Sequence, residues 1–366
     1  MATSATPTWR QPTVLVPPVS LVVLVVALLT HPGNLGLVVV AVFLGAAVLA
    51  AVHHAEVVAH KVGEPYGSLV LAVAVTIIEV GLIVTLMLGS DPEKTATLAR
   101  DTVFAAVMIT VNGIMGLSLL LTAVKHHTAI FNAEGTGAAL ATVGTLAALC
   151  LVLPSFTTTT PGPEYTGAQL GFAAVASLLL YALFVVTQTV RHRDFFLPVD
   201  DEGGVLVEEH AEPPTLRATW TSVGLLVVAL VAVVGLAKVE SKGIEKAVSA
   251  LGFPQAVVGV VIALLVLLPE TIAAGRAALR DRAQTSLNLA LGSAIASIGL
   301  TIPSIAVASI WLPGRLDLGL GPTQIVLLSL TMVVAVLTVV PGRATRLQGG
   351  VHLVLLAAFL FLSVQP

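Results

Sequence analysis

Residues 65–79 read PYGSLVLAVAVTIIE, and residues 254–270 read PQAVVGVVIALLVLLPE. Each stretch opens with proline, continues as an apolar run of Val, Leu, Ile and Ala, and closes on a glutamate. Glu79 and Glu270 are the only charged residues of the two runs. Apolar runs of about 20 residues are long enough to cross a bilayer as helices. Both stretches therefore predict transmembrane helices that each carry one carboxyl group.

The composition of the whole chain agrees with these two stretches. Of its 366 residues 57% are hydrophobic and 10% are charged, whereas a soluble domain has about 25% charged residues. The one cysteine, Cys150, excludes a disulfide framework, a cysteine-based zinc site and an iron–sulfur cluster. The net charge of −3 gives no reason to expect nucleic-acid binding. The composition predicts a polytopic membrane protein without a bound cofactor.

Eleven segments reach or approach the length of a bilayer span, and turn-forming residues separate several of them. The strand alternation typical of transmembrane β-barrels does not describe these runs. We therefore predict an all-α membrane protein with about 11 transmembrane helices. The predicted spans are residues 14–30, 35–52, 66–88, 102–124, 136–153, 167–190, 220–237, 254–274, 286–312, 324–340 and 351–364.

The distribution of Lys and Arg predicts the orientation in the membrane. If the N-terminus is cytoplasmic, the cytoplasmic segments hold 11 of the 17 basic residues, and the outer segments hold 6, including Lys238, Lys242 and Lys246 after the seventh span. Cytoplasmic loops of membrane proteins carry an excess of Lys and Arg. We therefore expect a cytoplasmic N-terminus and an external C-terminus.

A hydrophilic loop, residues 193–215, lies between the sixth and seventh spans and holds seven of the chain's 20 acidic residues. The simplest interpretation is a solvated linker. The alternative is a loop that collects cations or regulates the protein, because clustered carboxylates attract cations. The seven acids are Asp194, Asp200, Asp201, Glu202, Glu208, Glu209 and Glu212.

The positions of the two membrane acids indicate an internal repeat. Glu79 lies in the third predicted span and Glu270 in the eighth, and an Arg-Asp pair follows each acid before the next span, at residues 100–101 and 280–281. A shift of five spans relates the two settings, and because five is odd, the second unit would be inverted relative to the first. Inverted repeats with binding sites near the bilayer midplane are common in secondary transporters. The predicted divisions are 1–33 (tail and first helix), 34–192 (first five-helix repeat), 193–215 (loop) and 216–366 (second repeat).

Inverted repeats would bring Glu79 and Glu270 face to face near mid-membrane. Two facing carboxylates in a low-dielectric site cannot both stay ionised without a counter-charge. One Ca²⁺ or two protons would cancel the same charge, so each excludes the other, which is the physical basis of antiport. The alternative is a protonated, hydrogen-bonded carboxyl, although inserting an acid at the bilayer centre costs about 3 kcal/mol.

A calcium ion takes about six to eight oxygen ligands, more than two glutamates supply. We expect the remaining oxygens to come from backbone carbonyls and from polar side chains in the neighbouring spans. These candidate ligands are Thr76, Asn112, Asn288, Ser293 and Ser297.

Several titratable residues follow the second predicted span, and four of them are candidates for a proton path: His53, Glu56, His60 and Glu64. Histidine changes its charge near neutral pH. We predict that they form a proton path or mouth at the cytoplasmic end of this span, the alternative being interfacial polar residues at a helix end.

Three stretches, two of which overlap the runs quoted above, carry a resemblance to a known family. Residues 63–80 contain GEPYG and end on TIIEV, residues 268–271 read LPET, and residues 292–303 read GSAIASIGLTIP. They resemble the motifs of ChaA-type calcium (sodium)/proton antiporters of the calcium/cation antiporter superfamily. The resemblance implies that Glu79 and Glu270 bind the cation and exchange it for protons across the bacterial cytoplasmic membrane. The superfamily has asparagine three residues before each glutamate, where this chain has Thr76 and Leu267.

The expected function is therefore secondary antiport by alternating access, first Ca²⁺/H⁺ exchange and otherwise Na⁺ or K⁺ exchange for protons. A cation channel is a rival, which would conduct without proton coupling. An intramembrane enzyme is disfavoured, because the predicted spans contain no aspartate and the pair Asp200–Asp201 lies in a polar linker. The expected partners are inorganic cations, protons and the lipid bilayer, with no nucleic acid.

Overall fold

The computed structural model describes residues 11–30, 32–63, 66–89, 92–199, 204, 213–312 and 314–366. In these residues ten helical stretches are long and apolar enough to cross a bilayer, and α10 and α11, bent by 53°, form an eleventh. The prediction of about 11 transmembrane helices is confirmed. The elements are α1 (Pro12–Thr30), α2 (Asn34–Val62), α3 (Tyr66–Gly89), α4 (Pro92–Thr95), α5 (Leu98–Met108), α6 (Met115–His126), β1 (Ala129–Ile130), α7 (Ala133–Ala147), α8 (Gly167–Val186), α9 (Leu216–Ala250), α10 (Ala256–Val266), α11 (Leu268–Leu279), α12 (Ala283–Ala308), α13 (Pro322–Val339), β2 (Arg343–Ala344) and α14 (Arg346–Val364).

The helices form two compact units. Helices α1, α2, α3 and α9 make up the first, and α4–α8 with α10–α14 make up the second. The division of the sequence into repeats 34–192 and 216–366 stays a prediction. Glu64 lies outside the described residues, as do all the acids of the hydrophilic loop except Asp194.

Two helices of the first unit extend beyond the predicted spans. Helix α2 continues past residue 52 to Val62 and ends at Gly63, whose φ of 75° is easily adopted by glycine. Helix α9 has 35 residues, a length of about 52 Å. Lys238 and Lys246 both lie in this helix and not in a loop, and their placement on the outer side of the membrane stays a prediction. Hydropathy marks the apolar part of a helix, whereas backbone hydrogen bonding continues through Lys and Glu, which are good helix formers.

The fourth span is the most enclosed helix of the second unit. It consists of α5, a π-helical segment Ile109–Ile114, and α6. Further π-helical segments, Ala148–Val152 and Thr187–Arg191, end the helices α7 and α8. Such π turns are rare and occur frequently at functional sites.

Helices α6 and α14 approach each other closely at two glycines. A Cβ atom added to Gly349 would lie 2.7 Å from the backbone nitrogen of Leu120 and 2.9 Å from the carbonyl oxygen of Gly116. Small residues allow transmembrane helices to pack backbone against backbone. The neighbouring Gly350 points elsewhere, because a Cβ added there meets no atom within 4 Å.

The loops after the third, fifth and ninth spans are tied together within the second unit. Arg315 pairs with the carboxylate of Glu164, and the Asp317 N–H donates to the carbonyl of Ala96 at 3.0 Å. Partial burial and the nearby negative charge of Glu164 raise the pKa of Asp317 above its usual value. These contacts fix the ends of the spans that the loops connect.

Candidate functional site

Glu79 lies near the middle of α3, as the fourteenth of its 24 residues. Its side chain is buried, with 2% of the residue exposed, and Thr76 is also buried. The two residues are three positions apart, so they share one face of the helix. A buried acid inside a membrane span is costly and marks a functional site by default. The first unit therefore presents a carboxyl and a hydroxyl together at mid-helix.

Glu270 lies at a break between two helices, not inside the continuous helix predicted for residues 254–274. Helix α10 ends at Val266, α11 begins at Leu268, and the axes differ by 53°. Pro269 causes this break, because it has no N–H to donate to the carbonyl of Leu265.

The break places Glu270 in the first turn of α11, where its side chain is partly buried. The N-terminal end of a helix carries a partial positive charge that stabilises a carboxylate. Thr271 donates its hydroxyl to the carbonyl of Leu267 at 2.7 Å, and its N–H to the same oxygen at 2.9 Å. This end of α11 can therefore hold a negative charge until a cation or a proton arrives.

Side chains of α6 and α12 hold α11 in place. The Ser286 hydroxyl lies 2.9 Å from the carbonyl of Ala274 and 2.5 Å from the Ser118 hydroxyl. Thr122 donates to the carbonyl of Ala278 at 3.2 Å. Since these bonds lie one to two turns beyond Glu270, they fix the direction of the helix that carries it.

Loosening this attachment is expected to weaken cation binding. Ser286→Ala combined with Thr122→Val removes the two buried hydrogen bonds to α11, each of which contributes about 1 kcal/mol, and also the contact between Ser286 and Ser118. We expect the apparent KM for the transported cation to rise roughly three- to tenfold, with the amount of inserted protein unchanged. The measurement is the cation dependence of proton flux in vesicles. Thr122→Ser, which keeps the hydroxyl, is the control, and a double variant with wild-type KM would contradict the role of these bonds.

Asn112, a predicted ligand, lies in the π-helical segment of the fourth span and is fully buried. Its amide nitrogen donates to the Thr331 hydroxyl at 2.9 Å, and its oxygen lies 3.0 Å from Nδ1 of His352. Because an amide oxygen accepts but cannot donate, Nδ1 carries the proton of this bond. Nε2 of His352 then lies 3.2 Å from the hydroxyl of Thr338. The structure thus directs Asn112 toward α13 and α14.

The remaining predicted ligands lie on α12. The amide of Asn288 donates to the carbonyl of Phe196 at 2.6 Å and accepts from Gln284 at 2.8 Å. Ser293 and Ser297 are four residues apart and share a helix face. Glu79 belongs to the first unit and Glu270 to the second, so the face-to-face arrangement of the two acids stays a prediction.

The predicted proton mouth lies on α2. His53, Glu56 and His60 have spacings of three and four residues, so they line one face of the helix, on which Glu56 and His60 are exposed. The neighbouring His54 is instead buried, with Nε2 at 2.9 Å from the carbonyl of Thr13. A proton path through these residues stays a prediction.

Two buried titratable side chains were missed by the sequence interpretation. Glu240 is 8% exposed in α9, and its Oε2 has no hydrogen-bond partner among the described residues. His352 is fully buried in α14. Lys238 and the sequence that follows it suggested a loop, although the apolar pattern continues through Val239 and Val248 and could have revealed the longer helix.

A family profile described as sodium/calcium exchanger protein matches residues 33–190 and 221–365. The chain belongs to this family. The two matched segments lie on either side of the hydrophilic loop, residues 193–215, and together cover most of the chain. The resemblance to the calcium/cation antiporter superfamily is therefore confirmed, and the protein is a multi-span member of a transporter family.

Two bacterial proteins are similar to this chain over most of its length. The y4hA protein of Sinorhizobium fredii, named as an ionic transporter, is 49% identical over 87% of this chain and 86% of its own length. The sodium-potassium/proton antiporter ChaA of Escherichia coli is 33% identical over 84% of this chain and 83% of its own length. The crystal structure of an H⁺/Ca²⁺ exchanger, CAX, shares the fold with a TM-score of 0.68 and 15% identity, over 95% of this chain and 87% of that one.

Proposed function

We propose that the chain is a cation/proton antiporter in which Glu79 and Glu270 bind a cation and protons in turn. The observation that carries this proposal is that each acid is the one charged residue of a long apolar run, 65–79 or 254–270, in a chain of the sodium/calcium exchanger family. A carboxylate in a low-dielectric site needs a neutralising partner. Protons and a metal cation compete for that role, so the release of one is required for the uptake of the other.

The choice of cation depends on charge and ligand number. One Ca²⁺ cancels two carboxylates, which makes Ca²⁺/H⁺ exchange the first candidate. Ca²⁺ requires about six to eight oxygens, but the amide oxygens of Asn112 and Asn288 are already accepting hydrogen bonds, and Leu267 supplies no side-chain oxygen. These observations, together with the sodium-potassium/proton relative, favour Na⁺ or K⁺ exchange as the second candidate.

The location that fits this function is the bacterial cytoplasmic membrane, with the N-terminus inside. The support is the excess of Lys and Arg on that side, 11 of 17. In this orientation the exposed Glu56 and His60 of α2 lie at the cytoplasmic end of their helix. We infer that they pass protons between the cytoplasm and the site.

The experiment is reconstitution into proteoliposomes with a pH-sensitive dye inside. Ca²⁺, Na⁺ and K⁺ are added separately at several pH values, and the proton flux that each one drives is compared. We expect an inward cation gradient to drive protons outward, with a rate that depends on pH. Cation flux that ignores an imposed pH gradient would identify a channel and contradict antiport.

A further inference from the structure

An apolar groove of about 450 Å³ opens between α13 and α14 in the second unit. Leu330 of α13 and Val351 and Val354 of α14 line it, and they are partly exposed. The groove extends from residue 346 to residue 355 of α14, a distance of about 13 Å along the helix. Both helices are membrane spans, so the surroundings of this groove are lipid.

Gly350 forms part of the groove wall. A Cβ added there meets no atom within 4 Å. The space beside Gly350 is therefore open to an outside molecule and is not a helix-packing contact, in contrast to the adjacent Gly349. An elongated apolar space of this kind matches a hydrocarbon chain.

An arginine borders one end of the groove. Arg346, the first residue of α14, lines the groove there. Its Nε and one terminal nitrogen donate to the carbonyls of Ala123 and Val124, each at 3.2 Å, which holds the guanidinium in position. These two bonds use two of its five N–H groups. The remaining N–H groups are available for an anion at the mouth of the groove.

Other charges around this end are mostly basic. Arg343 is exposed on β2, which pairs with β1 through Ile130. Lys125 is exposed at the end of α6, next to the carbonyl that Arg346 binds. The acid Asp281 lies 3.5 Å from Nδ1 of His126. The basic residues Arg343, Arg346 and Lys125 outnumber the acid Asp281. Arg343 and Arg346 lie between the end of α13 and the first turn of α14.

We propose that this groove binds an anionic phospholipid, with an acyl chain between α13 and α14 and the phosphate beside Arg346 and Arg343. Basic pockets between transmembrane helices are suited to anionic headgroups, and a basic residue at the membrane surface contributes about 1 kcal/mol to that attraction. The apolar wall of the groove contacts the acyl chain of the lipid, and the arginines favour a negatively charged headgroup. A neutral phospholipid has the acyl chain but lacks the net negative charge.

The test measures lipid binding to the purified full-length protein in detergent, by native mass spectrometry, with phosphatidylglycerol and phosphatidylcholine titrated separately. Gly350→Leu places a side chain in the groove, at a position where a Cβ meets no atom within 4 Å. Arg343→Gln combined with Arg346→Gln removes the charge. Arg191→Gln combined with Arg217→Gln removes two exposed arginines elsewhere and is the matched control. Inorganic phosphate is added as a competitor in a further series.

We expect the wild-type protein to bind phosphatidylglycerol about tenfold more tightly than phosphatidylcholine. Gly350→Leu and the Arg343/Arg346 double variant should each lose about that factor, and the control should keep it. Wild-type affinity in Gly350→Leu would overturn the groove as the site. Equal binding of both lipids, or full displacement by millimolar phosphate, would overturn the lipid assignment in favour of an unselective apolar surface or a simple anion site.

Discussion

Replacing Glu79 or Glu270 by glutamine is expected to abolish cation-driven proton exchange. Glutamine keeps the size of the side chain but carries neither a negative charge nor a titratable proton, so the site loses both of its competing occupants. We expect each single variant to lose at least about a hundredfold in exchange rate, which corresponds to about 2.7 kcal/mol. The measurement is proton flux driven by Ca²⁺, Na⁺ and K⁺ gradients in proteoliposomes.

The matched control for these two variants is Glu134→Gln. Glu134 is exposed in the first turn of α7, so its substitution removes the same charge without touching an apolar run. All three variants should insert into the membrane in normal amounts, because removing a charge from an apolar run lowers the cost of insertion and Glu134 is exposed. Near-normal flux in both membrane-acid variants would contradict the assignment of the site.

Replacing Gly349 by valine is expected to be the most destabilising of the substitutions considered. The new Cβ would lie under 3 Å from the backbone of α6, at Leu120 and at Gly116. Backbone atoms cannot move aside as a flexible side chain can, so α6 and α14 must separate. Overpacking of this kind costs about 1–3 kcal/mol or more. The expected result is a clear loss of folded protein and of thermal stability in detergent.

Gly350→Val is the control, because it places the same side chain on the same helix one residue later, where a Cβ meets nothing within 4 Å. Valine is also a better helix former than glycine. We therefore expect Gly350→Val to unfold at or slightly above the wild-type temperature. Equal stability of the two variants would show that α6 and α14 are not in backbone contact.

The number and order of spans could be predicted from the sequence, because a bilayer requires long apolar segments and this chain has few charges to interrupt them. The ends of α2 and α9 could not be predicted in this way. Hydropathy reports the transfer of side chains into lipid, whereas a helix ends where its backbone loses hydrogen-bond partners, as at Gly63. The bend at Leu267 was within reach of prediction, since Pro269 provides its cause.

The candidate site could be predicted in part. Glu79 and Glu270 are conspicuous because each is the one charge in a long apolar run. The contacts of Asn112 with Thr331 and His352 were out of reach, because they join residues 219 and 240 positions apart in the sequence. Polar residues at mid-span are evident from a sequence, but the partner of each depends on the rotation of the helices, which hydropathy does not encode.

The π-helical segment Ile109–Ile114 has a consequence for the phase of the fourth span. Each additional residue in a helix turns every side chain that follows it by about 100° around the axis. The side chains of α6 are therefore rotated about the helix axis relative to the positions that a continuous α-helix from α5 would give them, although the two helices form one span. Deleting a single residue, such as Gly113, would restore a uniform phase only by turning Ser118 away from Ser286 of α12 and Thr122 away from α11. The number of residues in this segment thus decides which neighbouring helices the side chains of α6 contact.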